Sequence, residues 1–375
     1  MGLTLVSTIG KHQELFKALA ARAVRPLSFL SGNYPDQGLW RGYARKKIFE
    51  LLHYAPPRVD FEEEVVDERD CGPYVKRKLW FRSSPYTRVC AALLLPPQTR
   101  GKLPGVICLH DHGGLFAWGK EKLLEPDGEE DPALAAHKEK YYGGMSVAHE
   151  MAATGFAVLA IDNFYFGDRR LAGLPEVDGL DLSAADDHAE FERIATEREA
   201  AAALNMIQAG ATLMGLAIWD AVRSVEFLTT VEGVDGRRIG CFGAHSGGLL
   251  ALYLSGLCDL IRVTCAAGWV TTFAGLIESG VPGDNWAHFA VPGLYNFLDL
   301  PDIACLTVPR SLSLMALGDD PAFPGSGAGG AFKNVRKVFQ MAGRDGEFSS
   351  KVYAGESSFT REMLADSFGW FERWF

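Results

Sequence analysis

Two short stretches of this 375-residue chain combine side chains that could do chemistry with spacing that could position it. The first is Gly243-Ala244-His245-Ser246-Gly247-Gly248, between the apolar run Arg238–Phe242 and the apolar run Leu249–Leu252. A strand that turns into a helix this abruptly needs small residues around its central position. The helix start behind the turn offers backbone N–H groups and a positive dipole end to developing negative charge. His245 and Ser246 are the side chains there that could move a proton or attack a carbonyl carbon. The second stretch is His110-Asp111-His112-Gly113-Gly114, directly after Val106–Leu109. Its glycines let the backbone approach a substrate, so His112, Gly113 and Gly114 are assigned to oxyanion or substrate binding. His110 and His112 could form a metal pair, but no third ligand stands at a matching spacing. Neither a metal nor a cofactor is expected.

The elements that must hold these stretches follow from the hydrophobic pattern. Residues 10–55 read as amphipathic helix, stopped at Pro56-Pro57. Phe61–Val66, Tyr74–Arg82 and Val89–Leu95 read as an antiparallel meander. Strand and helix then alternate: Val106–Leu109, Met145–Ala153, Phe156–Ile161, a long helical region over 187–231, Arg238–Phe242, Gly247–Leu257, Ile261–Ala267, Ser311–Leu317, Ala331–Met341, Lys351–Tyr353 and Thr360–Phe375. Alternation of this kind predicts a parallel sheet with right-handed crossovers and its chemistry at the carboxyl ends of the strands. The charged insert with Glu121, Glu125, Asp127, Glu129, Glu130 and Asp131 reads as a solvated flap, and Pro324–Gly330 as a flexible surface loop. The domain division expected is a helical extension over 1–58 and one α/β domain over 59–375.

With 48% hydrophobic and 22% charged residues, the composition is that of a soluble enzyme. A net charge of −10 argues against nucleic-acid and anionic membrane partners. The seven cysteines form no C-x-x-C pair, and no basic-then-apolar leader opens the chain, so a reduced cytoplasmic protein is expected. The uncharged run Ala200–Trp219 is too polar to span a membrane. The partner expected is a small-molecule substrate, and a homo-oligomer is possible.

With Leu109–Gly114, Gly155–Asp162, Phe166–Arg170, the turn at 243–248, Gly318–Pro324 and the closing Phe368–Phe375, the chain resembles the bacterial dienelactone-hydrolase and acetyl-xylan-esterase-like branch of the α/β-hydrolases. The resemblance implies an α/β-hydrolase fold: a mostly parallel central sheet with helices on both faces. It implies a catalytic triad in the chain order nucleophile, acid, histidine. Asp320, after Ser311–Leu317, resembles the acid, with Asp319 as its neighbour. None of the nine histidines follows Asp320. By the resemblance, the histidine's place falls on Ser357. Where the branch has Gly-x-Ser-x-Gly-Gly, a gap-free match puts His245 at the nucleophile position. Sliding by one residue would put Ser246 there, but the flanking strand and helix favour the gap-free register.

Three readings follow. In one, the pair is exchanged: His245 is the base, Ser357 supplies a hydroxyl and Asp320 orients the imidazole, giving ester or lactone hydrolysis. In another, His245 and Asp320 move protons without a covalent intermediate, as in a lyase, isomerase or cyclase. In the third, the site is inactive and the fold binds a ligand. Trp269 and the segment with Trp286 and His288 could line an apolar pocket, and His288 is the reserve base.

Overall fold

The computed structural model describes residues 13–97, 101–279, 287–320, 325–356 and 358–375. Among the described residues nine strands form one sheet in the order β1-β2-β3-β5-β4-β6-β7-β8-β9. β1 (Glu64–Asp70), β2 (Val75–Arg82) and β3 (Arg88–Leu95) are the expected antiparallel meander, and β3 joins β5 antiparallel. β4 (Leu103–Leu109), β5 (Ala157–Ile161), β6 (Val234–Ala244), β7 (Ile261–Ala267), β8 (Ser311–Leu317) and β9 (Phe348–Tyr353) run parallel to one another. The helices are α1 (Gln13–Ala21), α2 (Gln37–Leu52), α3 (Pro132–Tyr142), α4 (Val147–Ala153), α5 (Pro175–Asp178), α6 (Ala185–Gln208), α7 (Leu213–Thr230), α8 (Ser246–Leu257), α9 (Phe273–Ser279), α10 (Leu300–Cys305), α11 (Gly325–Met341) and α12 (Arg361–Trp374).

Side chains of a strand alternate between faces, and β4 shows both faces buried. Ile107 and Leu109 enter one core with residues of α2, α7, α8, α10 and α11, while Val106 and Cys108 enter another with α3, α4 and α12. That two-sided burial is why the parallel strands read as continuous apolar runs. Trp40, Ala44, Ile48 and Leu52 place one stripe of α2 in the first of these cores. A third, smaller cluster joins Phe191, Ile194 and Ala195 of α6 to Phe116, Tyr165 and Phe166 above the sheet. No single helix among the described residues is long and apolar enough to cross a membrane.

Four expectations need correction. The first strand begins at Glu64, because Glu62 adopts a φ of +44°, which breaks the extended run, while the Phe61 ring packs edge-on against Phe81 and Phe227. The helical region over 187–231 is two helices bent by 87°: Gly210 adopts a φ of +80°, and the Thr212 hydroxyl caps α7 by accepting from the Gly215 N–H. The charged insert is a solvated flap only in part: Glu125, Asp127 and Glu129 are exposed, but Glu121, Glu130 and Asp131 are not. It contains α3, and Lys120, Lys122, His137 and Lys138 are buried within it. Lys120 is paired with Asp162 and Asp168 at 2.8 and 2.6 Å, and Lys138 with Glu130, which lets those cations leave water. Finally, the glycine-rich run is helical from Gly325, where α11 seats Ala328 and Ala331 in the core. Packing there overrides the low helix propensity of glycine.

Candidate active site

β6 enters α8 through a turn that only glycines permit. A Cβ on Gly243 would lie 2.0 Å from the Gly247 carbonyl oxygen, and one on Gly247 would lie 2.1 Å from that of Leu109. Between them His245 has φ 54° and ψ −127°, a conformation strained for any residue with a side chain. His245 therefore holds the tip of the turn, and Ser246 is the first residue of α8. This is the gap-free register.

The half-buried His245 ring lies against Tyr141 and Tyr142 at the end of α3, with centroids 5.2 and 6.0 Å away. Its Nε2 is 2.9 Å from the Tyr141 carbonyl oxygen. A carbonyl only accepts, so Nε2 carries the proton and Nδ1 of the neutral ring keeps its lone pair. The Phe359 N–H donates to the same carbonyl at 2.8 Å, which brings the loop after β9 beside His245. Sequence reasoning expected Asp320 to orient the imidazole, whereas the hydrogen bond seen runs to Tyr141. Asp320 is buried just beyond β8 and Asp319 is exposed. Ser357 and Trp286 lie outside the described residues.

The loop after β4 crosses the start of α8. The His112 N–H donates to the Ser246 hydroxyl at 2.6 Å. His110 is structural: its Nε2 accepts from the Asn163 N–H at 3.1 Å and its Nδ1 faces the Asp111 carbonyl at 2.6 Å. The Asp111 carboxylate accepts from Tyr142 at 2.7 Å and His137 at 3.0 Å. Burial alone would raise its pKa, but Lys122 and His137 hold it well below the usual carboxylate range.

Glu199 of α6 reaches the same loop. Its Oε1 is 2.7 Å from His112 Nε2 and 2.9 Å from His288 Nδ1, and all three side chains are buried. Burial pushes the Glu199 carboxyl up, but the hydrogen bonds from His112 and His288 outweigh it and set its pKa at about 2. These three residues offer ligand atoms within 4.8 Å of one another, so the structure supplies the partners for His112 that sequence spacing did not. As arranged they do not fit a metal. The Gly114 N–H donates to His112 Nδ1 at 3.1 Å, which leaves the ring proton on Nε2, the atom a metal would need. In a second such group, Cys90, Asp162 and Asp168, both carboxylates are already paired with the Lys120 ammonium. Trp269, at φ +53°, is buried with its ring 5.1 Å from Phe289, beside His288.

Sequence reasoning missed Lys122, Asp111, His137, Tyr141 and Glu199. Glu199 left one signal: it continues the buried stripe Phe191, Ala195, Glu199, Ala203 of α6, where a lone carboxylate needs a partner. Asp111 lay inside the His110–Gly114 stretch but was given no role, and Lys122, His137 and Tyr141 sit in the insert, which carries no motif.

A mostly parallel sheet with an antiparallel leading meander, and a strained turn between β6 and α8 facing the loop after β4, give this chain the α/β-hydrolase fold. No family model matches it. A protein of Bacillus subtilis (strain 168) named "Putative hydrolase YtaP" is 25% identical over 280 residues, which are 74% of this chain and 81% of that protein. Among solved structures, one described as a putative acetyl xylan esterase from Bacteroides fragilis NCTC 9343 is similar with a TM-score of 0.68 at 15% identity, covering 90% of this chain and 81% of that one. A CE15 glucuronoyl esterase from Teredinibacter turnerae T7901 gives 0.60 at 14% identity, covering 94% and 90%. At these identities the solved structures establish the fold.

Proposed function

We propose that the protein hydrolyses a small ester or lactone, with His245 as its base. One observation carries this reading: His245 holds the strained position at φ 54° with its Nε2–H tied to Tyr141. Strain of this kind costs about 1–3 kcal/mol and persists where it serves a site. It leaves Nδ1 as the atom able to take a proton. In the proposed reaction Nδ1 accepts the proton of an attacking hydroxyl, that oxygen bonds to the substrate carbonyl carbon, and backbone N–H groups of the facing loop receive the oxyanion. When the tetrahedral intermediate collapses, the leaving alkoxide takes the proton from His245; where a serine attacked, water then repeats both steps on the acyl-serine, His245 taking its proton and returning it to the serine oxygen as the carboxylic acid leaves. Asp320 is assigned the carboxylate that balances the imidazolium, and Ser357 the attacking hydroxyl, with water as the substitute. The esterase names carried by structures of this fold support an ester as substrate, and the dienelactone-hydrolase resemblance supports a lactone.

A panel of p-nitrophenyl esters and simple lactones tests it. His245→Ala and His245→Gln are expected to lower kcat by about 100- to 10,000-fold. A serine-reactive phosphonate should label Ser357 if that hydroxyl attacks, and nothing if water does. Hydrolysis of the panel that survives both His245 variants, or no hydrolysis by the wild type, rejects the reading.

A second reading is proton transfer without a covalent intermediate. The pairing of His288 with the Glu199 carboxylate favours it, since that bond leaves His288 Nε2 as a base. Activity lost in His288→Ala but kept in His245→Ala would select it.

A further inference from the structure

Lys122 is fully buried, yet among the described residues it forms no ion pair. The other buried lysines, Lys76, Lys120 and Lys138, each meet a carboxylate: Asp127, Asp162 and Glu130 respectively. Lys122 instead donates to two backbone carbonyls, Asp111 at 3.1 Å and His112 at 2.9 Å, with the Phe166 ring 4.7 Å from its Nζ. A buried ammonium whose hydrogen-bond partners are all neutral is costly, offset in part by the Asp111 carboxylate that it stabilises from beyond ion-pair distance.

Its placement gives it a use. In a trans peptide the C=O and N–H point in opposite directions. The Asp111 carbonyl shares its peptide with the His112 N–H, and the His112 carbonyl shares its peptide with the Gly113 N–H. An ammonium gripping both carbonyls from beneath turns both N–H groups to the far side. One of them is seen there, donating to Ser246 at 2.6 Å beside the strained turn. The trans geometry turns the Gly113 N–H away from Lys122 in the same way. The charge also polarises both peptides, which strengthens their N–H ends as donors.

We propose that Lys122 is a positioning residue: it aims and polarises the His112 and Gly113 amides so that they receive a developing or permanent oxygen anion at the turn. The inference deepens the ester-hydrolysis reading and rests on it for the catalytic role. Its core is anion recognition by these amides, which can be measured without turnover.

Lys122→Met keeps the stem without the charge, Lys122→Gln keeps one donor, and Lys122→Arg restores the charge. On a p-nitrophenyl ester, Lys122→Met is expected to lose roughly tenfold or more in kcat, less than the ~100- to 1,000-fold of removing a direct donor. KM should stay within about twofold, because the charge acts on the oxyanion rather than on the neutral ester. Lys122→Arg should recover part of the loss. Benzoate binding, followed by calorimetry or NMR titration, should weaken about tenfold in Lys122→Met. If the wild type hydrolyses no ester but binds benzoate, and Lys122→Met binds it more weakly, the hydrolysis reading fails and the role of Lys122 stands. Equal benzoate affinity in wild type and a folded Lys122 variant overturns the proposal, as does no benzoate binding by the wild type or an unchanged kcat. Should Lys122→Met not fold, Lys122→Gln is held to the same outcomes.

Discussion

Glu199 shows how one buried carboxylate can hold two distant segments. Its Oε1 accepts from His112 in the loop after β4 and from His288, partners 87 and 89 residues away in sequence. Its folded pKa of about 2 lies below the ordinary 4.5. A carboxyl depressed in this way stabilises the fold fully above the unfolded value and loses that contribution as pH falls through the folded one. Glu199→Gln should therefore lower the unfolding free energy by on the order of 3 kcal/mol at neutral pH. The difference from wild type should close as pH drops from 4.5 towards 2. Urea unfolding at a series of pH values measures it, and a gap that stays constant with pH would show that the charge of Glu199 does not matter to stability.

The helix that carries Glu199 also carries Glu192, two turns earlier on the same side. Glu192 accepts the N–H groups of Phe116 and Ala117 at 2.7 and 2.9 Å. α6 thus clamps the loop after β4 from above at two points, while Lys122 holds its carbonyls from below. Glu192→Leu leaves two backbone donors without their acceptor, at a cost of about 1–3 kcal/mol each where they stay buried. Faster hydrogen exchange at Phe116 and Ala117, with the strands of the sheet unchanged, is the expected signature. Exchange that accelerates everywhere would instead mark general loss of stability. The turn between β6 and α8 tolerates less. Gly247→Ala drives a Cβ to 2.1 Å from the Leu109 carbonyl oxygen, a backbone atom of β4 that cannot move aside. Its expected effect is a loss of more than about 4 kcal/mol, among the largest single-residue effects, or failure to fold, read by soluble yield and thermal melting.

Across the molecule, the sheet divides the interior into two large cores with a smaller cluster above its carboxyl edge. The leading helices take part in this interior. Trp40 of α2 is fully buried, and its indole N–H donates to the Leu27 carbonyl at 2.6 Å. Trp40→Ala should cost about 3–5 kcal/mol. The denaturant midpoint should drop while kcat of the folded enzyme stays the same, because the side chain packs on Phe29 and bonds to Leu27, both in the leading segment. A lowered kcat at full folding would show that α2 reaches the site.

What the sequence determined was local. Runs that are apolar on both faces placed the parallel strands, with the bounds of β7 and β8 read correctly. Glycines at close approaches marked the turn between β6 and α8, since that geometry leaves no room for a Cβ. Histidine in place of serine at position 245, and the lack of any histidine after Asp320, were visible without coordinates. Where local pattern and packing disagreed, the pattern misled. The run Gly325–Gly330 became helix because the core wanted Ala328 and Ala331, and part of the charged insert became interior where Lys120 and Lys138 found carboxylates. The site's second layer could come only from the tertiary structure. Tyr141 fixes the imidazole through a backbone carbonyl, which any residue possesses, and Lys122 acts through two more. Glu199 meets its histidines across nearly ninety residues in each case. Contacts made by backbone atoms, or by single side chains far apart in sequence, have no period and no motif, so only the folded chain reveals them.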